Sequence, residues 1–299
     1  MHELDNARYT QLETLGDLDA IRISHPLVEA TVVLQGAHLV HFSPAGQDNW
    51  LWMSPLARFE KGVAIRGGIP VCWPWFGDPA RNPDPVRSKI DTSGAHGFAR
   101  TAIWTLERLE ELEEAVMVTL ALDATPASAS SWNGHAHASL TLRFSPEGLT
   151  LALTTRNDGK GPLAITQALH SYLPTTNVSD TVIQGLEGTR YLDTLDGWAL
   201  RQQEGVITFT GETDRIYQAA RDMLIQSPHH HTRLTSDGSA STVVWNPGPV
   251  KAARLSDFPD DAWTGMLCVE TANAADDYRE LQPGASHTLT MTLAGAPIG

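Results

Sequence analysis

Alternation of apolar and polar residues with a period of two runs through this sequence, and it restricts the chain to sheet architectures more strongly than any other feature. Val116, Val118, Leu120 and Leu122 fall on one side of an extended segment. Leu140, Leu142 and Phe144 do the same, as do Leu149, Leu151 and Leu153. Successive side chains on a strand point to opposite faces, so each run offers one apolar face to a core. Further β-prone segments lie at 30–34, 163–169, 206–210, 242–245, 266–269 and 288–293. Pro146-Glu147-Gly148, Asn157-Asp158-Gly159 and Ser236-Asp237-Gly238 supply turn chemistry between them. The clearest helical signal is the acidic stretch 106–114, which runs straight into a β pattern. Many strands joined by short turns imply a mostly β chain, folded as a sandwich or barrel. No linker-like run divides it, so one domain over residues 1–299 is expected.

Charge narrows the function. The formal net charge is −14, which argues against nucleic acid or an anionic membrane as partner, since both need a basic surface. A small anion held by a few local arginines stays open. Two cysteines, Cys72 and Cys268, do not suggest a disulfide framework, and a reducing compartment is the simpler reading. The first residues are polar and acidic rather than basic and then apolar, so no secretory signal is expected. No uninterrupted apolar run reaches the roughly 20 residues that a membrane helix needs. The cytoplasm is the expected location.

The segment 57–100 breaks the alternation. It is dense in Gly, Pro, Trp and Arg, and long irregular loops in compact domains are commonly functional. In Arg66-Gly67-Gly68-Ile69-Pro70 the glycines permit close approach of the backbone and Arg66 offers a rigid fork of donors. Trp73, Trp75, Phe76 and Phe98 are candidates for an apolar wall against sugar C–H faces. His96 and Arg100 close the segment. Two further residues could move protons. His170 ends the apolar run 163–169, where read alone it is a satisfied core histidine. Glu270 follows the run 266–269, where read alone it is a strand-end glutamate facing solvent. Buried instead, its pKa would rise and make it a better base.

Pro228-His229-His230-His231 invites a metal reading, but neighbours on a strand point to opposite faces and cannot converge as three ligands. No metal site and no cofactor are expected. No phosphate-binding GxxxxGK[ST], GxGxxG or GxSxG motif is present.

Taken in order, RGGIPVCWPWFG (66–77), AHGFAR (95–100), LHSYL (169–173), TDRIY (213–217), VVWNP (243–247) and CVETAN (268–273) resemble the glucose-6-phosphate 1-epimerases, or hexose-6-phosphate mutarotases, of the galactose mutarotase-like superfamily. The resemblance implies a large antiparallel β-sandwich, the supersandwich. It implies His170 as general acid and Glu270 as general base, with Arg66, His96, Arg100 and Asp214 binding substrate. It also implies cofactor-free interconversion of the α and β anomers of a hexose 6-phosphate, by ring opening and closure. One departure concerns specificity: the family has glutamine before the HGFAR histidine, and this chain has Ala95. Arg87 and Lys89 are further candidates for the phosphate, and Asp193 competes with Asp214 as hydroxyl ligand. A free-hexose mutarotase and a non-catalytic carbohydrate sensor on the same fold are the competing readings. A glycoside hydrolase is weaker, since it needs two opposed carboxylates. A monomer acting on a small phosphorylated sugar is expected.

Overall fold

A computed structural model describes residues 4–228 and 230–297. All strand pairings within its sheets are antiparallel. The alternating runs form the middle of an eight-stranded sheet, where Val116–Ala124, Ala136–Ser145 and Gly148–Asn157 lie side by side and Ser286–Ala296 continues them. A second eight-stranded sheet is ordered Ala199–Gln202, Arg190–Asp193, Thr213–Tyr217, Ser241–Asn246, Met266–Asn273, Gln167–Leu169 and Val71–Cys72. Tyr172–Pro174 pairs with Met266–Asn273 as well. A four-stranded meander, Thr10–Leu15 to His38–Pro44, and the pair Leu163–Ile165 with Arg279–Leu281 complete the sheets.

One large core joins them. Val116, Leu140 and Leu151 meet Val244, Leu267 and Val269 there, along with Val28 and Leu39 of the meander. Period-two alternation then fixes the opposite face of the second sheet. Val243, Ala272, Ile216, Cys72 and Ala168 cluster on it, and Tyr172, Trp245 and Cys268 form a neighbouring group. That outer face carries the candidate site.

Three local readings change. The acidic stretch 106–114 is no helix: Thr105–Glu111 is the edge strand of the first large sheet, its polar residues facing outward. Tertiary pairing overrides the helical propensity of glutamate here. The run 163–169 is split into Leu163–Ile165 and Gln167–Leu169, which belong to different sheets. Segment 206–210 forms only a single bridge, Ile207 to Ile183.

The backbone freedom of Gly67 and Gly68 is used. Gly67 and Gly68 have φ of 112° and 63°. A β-carbon on Gly68 would lie 2.2 Å from the Leu39 carbonyl oxygen. His38, fully buried, donates from Nε2 to the Gly67 carbonyl at 2.7 Å. Burial lowers its pKa to about 4, so it serves as a neutral brace. Among the described residues, no helix is long and apolar enough to cross a membrane.

Asn246 anchors the short helix Gly248–Ala252 to the second sheet. Its Nδ2 donates to the carbonyls of Trp263 and Met266, both at 2.8 Å, and its Oδ1 accepts from Gly248 N–H at 2.8 Å. Asn246→Ala strands these buried groups and is expected to lower stability by about 2–3 kcal/mol. Urea unfolding measures this, and a loss below about 0.5 kcal/mol would show that the carbonyls find other donors.

Candidate active site

Sheet register brings together two residues that sit far apart in the chain. Leu169 pairs with Thr271 and Tyr172 pairs with Cys268, on the same strand. Carrying that register across the short break between them places His170 opposite Glu270. At the break Ser171 N–H turns back to the Leu169 carbonyl at 3.0 Å, while His170 N–H continues the pairing on the other flank by donating to the Pro70 carbonyl at 3.0 Å. Alternation puts Ala168, His170 and Tyr172 on the outer face, as it does Cys268, Glu270 and Ala272. Glu270 therefore does not sit at a strand end facing solvent. It lies inside Met266–Asn273 with its side chain 1% exposed.

His170 Nε2 lies 3.4 Å from Glu270 Oε1. The His170 ring stacks on Tyr172 at 4.9 Å and meets Trp245 edge-on at 6.0 Å. Tyr172 in turn accepts a hydrogen bond from Arg66 Nη1 at 3.2 Å. Glu270 Oε2 and His170 Nδ1 are buried without a hydrogen-bond partner among the described residues. Buried polar atoms are nearly always paired, so two orphans on one acid–base pair mark a place where a ligand can supply the missing bonds.

Burial pushes Glu270 well above the usual carboxylate range, and the Asp214 charge adds to the effect. Burial also pushes His170 well below the usual imidazole range, helped by His96, Arg66 and Arg100. Both shifts favour a neutral pair with its single proton on the carboxyl side.

A cleft of about 460 Å³ opens beside the pair, lined by Phe76, Arg81, His96, Trp198, Asp214 and Lys251 among others. His96 joins cleft to pair, its ring 5.9 Å from that of His170 and 5.1 Å from Phe76. Gly77 N–H donates to His96 Nδ1 at 3.3 Å, so the proton sits on Nε2. Burial, with Arg100 and Arg66, lowers the His96 pKa to about 3, which keeps the ring neutral. Its backbone has φ 65°. Four non-glycine residues among those described have positive φ, and three of them, His96, Trp198 and Ala275, line this cleft. Backbone strain of this kind gathers at functional sites. A cleft of about 510 Å³ between the 46–50 turn and Thr175–Thr176 shows no acid–base contact among its lining residues.

The other sequence candidates divide clearly. Asp214 lines the cleft, 3.7 Å from Lys251 Nζ, and burial raises its pKa. Asp193 does not line it and accepts from Leu195 N–H at 3.1 Å. Arg66 is held by Asp257 at 3.2 Å, so its charge is already balanced. Arg100 donates to the Ala95 carbonyl at 3.0 Å and has no carboxylate partner among the described residues. Arg87 is exposed and paired with Asp84, and neither it nor Lys89 lines the cleft. Trp73 and Trp75 are core residues, 0% and 1% exposed, so of the expected aromatic wall only Phe76 lines the cleft. Sequence reasoning missed Lys251, Trp198 and Arg81. No motif flags them, because their place follows from how loops fold over the sheet. No group of three or more His, Cys, Asp or Glu among the described residues is arranged to hold a metal, and His229 lies outside those residues.

A histidine and a buried glutamate thus meet on one face of an antiparallel β-sandwich, beside a polar cleft. The chain belongs to the aldose 1-epimerase family, whose model matches residues 19–294. It is 34% identical over 277 residues to an Escherichia coli K12 protein provisionally named a glucose-6-phosphate 1-epimerase, covering 91% of this chain and 89% of that one. A Salmonella typhimurium LT2 protein with the same provisional name is 35% identical over 271 residues, covering 87% and 85%. The crystal structure of a provisionally named mutarotase from Salmonella typhimurium superposes with a TM-score of 0.86 at 30% identity, covering 98% and 96%. A galactose mutarotase-like protein from Clostridium acetobutylicum, 12% identical with a TM-score of 0.72, covers 97% and 99% and shares the fold. The expected supersandwich is thus the fold of this chain.

A buried acid that must ionise costs stability, and the sign can be tested. The folded-state pKa of Glu270 lies above its ordinary value of 4.5. The folded protein therefore holds this proton more tightly than the unfolded chain, and stability falls as pH rises from 4.5 toward the folded pKa. Glu270→Gln removes that loss. Its stability relative to wild type is expected to grow as pH rises above 4.5, with a limiting slope of about 1.4 kcal/mol per pH unit. Thermal unfolding across pH checks this, and a constant gap would mean that the carboxyl ionises as easily folded as unfolded.

Proposed function

We propose that the protein interconverts the α and β anomers of a hexose 6-phosphate, glucose 6-phosphate foremost. The observation that carries this reading is the His170–Glu270 contact at 3.4 Å, with its two unpartnered atoms beside a polar cleft. The names borne by the relatives support the phosphorylated substrate.

Glu270 as carboxylate takes the proton of the C1 hydroxyl while His170 as imidazolium gives one to the ring oxygen. The C1–O5 bond breaks to the open aldehyde, the C1–C2 bond rotates, and closure on the other face returns both protons. The pair enters this cycle with one proton, resting on Glu270. Moving it to the imidazole generates the reactive form without any exchange with solvent, and an aligned sugar favours that form by hydrogen bonding to both groups. Asp214 accepts from sugar hydroxyls, and His96 donates from Nε2. Arg66 orients Tyr172 and, with Arg100, supplies positive charge near the pair. Arg100, without a carboxylate partner among the described residues, suits an anionic substrate. Two buried free thiols, Cys72 and Cys268, fit the cytoplasm.

Pure α-glucose 6-phosphate, followed by NMR toward anomeric equilibrium, is expected to equilibrate faster with the protein than in buffer. Glu270→Gln and His170→Ala are each expected to lose about 10²-fold or more. Binding without acceleration would favour a sensor, and acceleration of free glucose alone would favour a free-hexose mutarotase.

The pH profile of kcat/KM is expected to be a bell, because the working pair holds one proton. The second proton goes to His170, whose pKa is depressed, so the acid limb falls below 6.5. The last proton leaves Glu270, whose pKa is raised, so the alkaline limb falls above 4.5. The ¹⁵N shifts of His170 in the free protein are expected to report a neutral ring at pH 6.5. A charged ring at that pH would place the resting proton on the imidazole instead.

A further inference from the structure

The cations around the cleft are not equivalent. Lys251 lies 3.2 Å from Glu212 and 3.7 Å from Asp214, so its charge is compensated. Arg81 also lines the cleft and has no ion pair among the described residues. Its guanidinium instead sits over the Trp198 ring, 5.3 Å from the centroid. Asp78, on the same loop, accepts from Ala80 N–H and makes no ion pair with Arg81. The indole beneath Arg81 is itself held in an unusual way: Trp198 is half-buried, with φ 65° in the turn between Arg190–Asp193 and Ala199–Gln202. A bulky residue in that conformation is strained, and such strain persists only where the surroundings enforce it.

We infer that Arg81, presented on the Trp198 ring, is the outer ligand of the substrate's phosphate, and that it sets the preference for phosphorylated over free sugar. This rests on the epimerase reading above and deepens it. In a pyranose, C6 branches from the carbon next to the ring oxygen. With the ring oxygen at His170, an anion on C6 follows the side of the cleft on which His96 stands. That side is built by one chain segment: Phe76 packs on His96, Gly77 exchanges hydrogen bonds with it, and Arg81 follows in the same loop. The cleft also carries the carboxylate of Asp214, suited to hydroxyls, whose backbone carbonyl accepts from Thr194 at the start of the Trp198 turn. A phosphate monoester carries a charge of about −1.5 to −2 at neutral pH. Arg81 on that loop and Arg100, four residues past His96, have no ion pair among the described residues, and together they match it. The match must be local, because a chain with a net charge of −14 repels an anion at long range. Stacking on the indole keeps the guanidinium plane oriented and limits the entropy lost when it grips the anion.

The test measures binding and turnover separately, on glucose 6-phosphate and on free glucose. Arg81→Gln is expected to raise the Kd by calorimetry and the KM for glucose 6-phosphate about tenfold, near the worth of one charge-assisted hydrogen bond. It is expected to leave kcat and every constant for free glucose within about twofold. Trp198→Ala is expected to repeat this pattern and Trp198→Phe to reverse most of it. Inhibition by inorganic phosphate is expected to weaken in Arg81→Gln by the same factor. An active wild type with unchanged constants in Arg81→Gln, or an equal loss on both sugars, overturns the subsite alone. Wild type that binds glucose 6-phosphate through Arg81 without turning it over overturns the epimerase reading and keeps the subsite. Wild type that neither binds nor turns over the phosphate overturns both.

Discussion

Everything at the candidate site depends on one alignment of strands. The segment 167–174 lies along Met266–Asn273 in a register that survives a two-residue break, and this sets His170 against Glu270. A slip of the segment 167–174 by one residue would turn His170 into the core, away from Glu270. Two features fix the register. Gln167 donates to Asn273 across the pair at 3.0 Å, and on the other flank His170 N–H donates to the Pro70 carbonyl at 3.0 Å. The pair is thus placed by sheet geometry, and the irregular loops only roof it.

The same placement explains the electrostatics. Glu270 comes from a strand in which every residue is buried, so its carboxyl is dehydrated on all sides. An isolated carboxylate there is costly, and burial shifts the group toward its protonated form. The two arginines near His170 discourage a charge on the imidazole as well. A neutral pair that a single proton transfer makes charged, as proposed above, combines two needs. It tolerates burial in the free protein, and it yields acid and base together once a polar ligand is aligned.

Much of the fold was legible because the runs at 116–122, 140–144 and 149–153 each declare a period of two, and that period arises locally. The edge strand Thr105–Glu111 was not, since its glutamates favour helix until a neighbouring strand satisfies its backbone. The division of 163–169 between two sheets was hidden for the same reason: Thr166 looks like any strand residue until tertiary pairing breaks the run. At the site, His170 and Glu270 emerged only from an ordered set of motifs, because nothing near either residue points to the other across the chain. Trp73 and Trp75 misled because composition cannot say which face a ring takes. Arg81 and Trp198 escaped because their meeting depends on two loops that are neighbours only in the folded protein.

The division between a sheet-built floor and a loop-built rim has a thermal consequence. Acid and base stand on hydrogen-bonded neighbours whose spacing is that of adjacent strands, about 4.7–4.9 Å. The walls that meet the ligand come from the loop around 76–82 and the hairpin turn at 194–198. Warming loosens loops before it loosens central strands. The rates at which a ligand enters and leaves will therefore respond to temperature well before the spacing of the acid–base pair does. The floor sets the chemistry, and the rim sets the traffic.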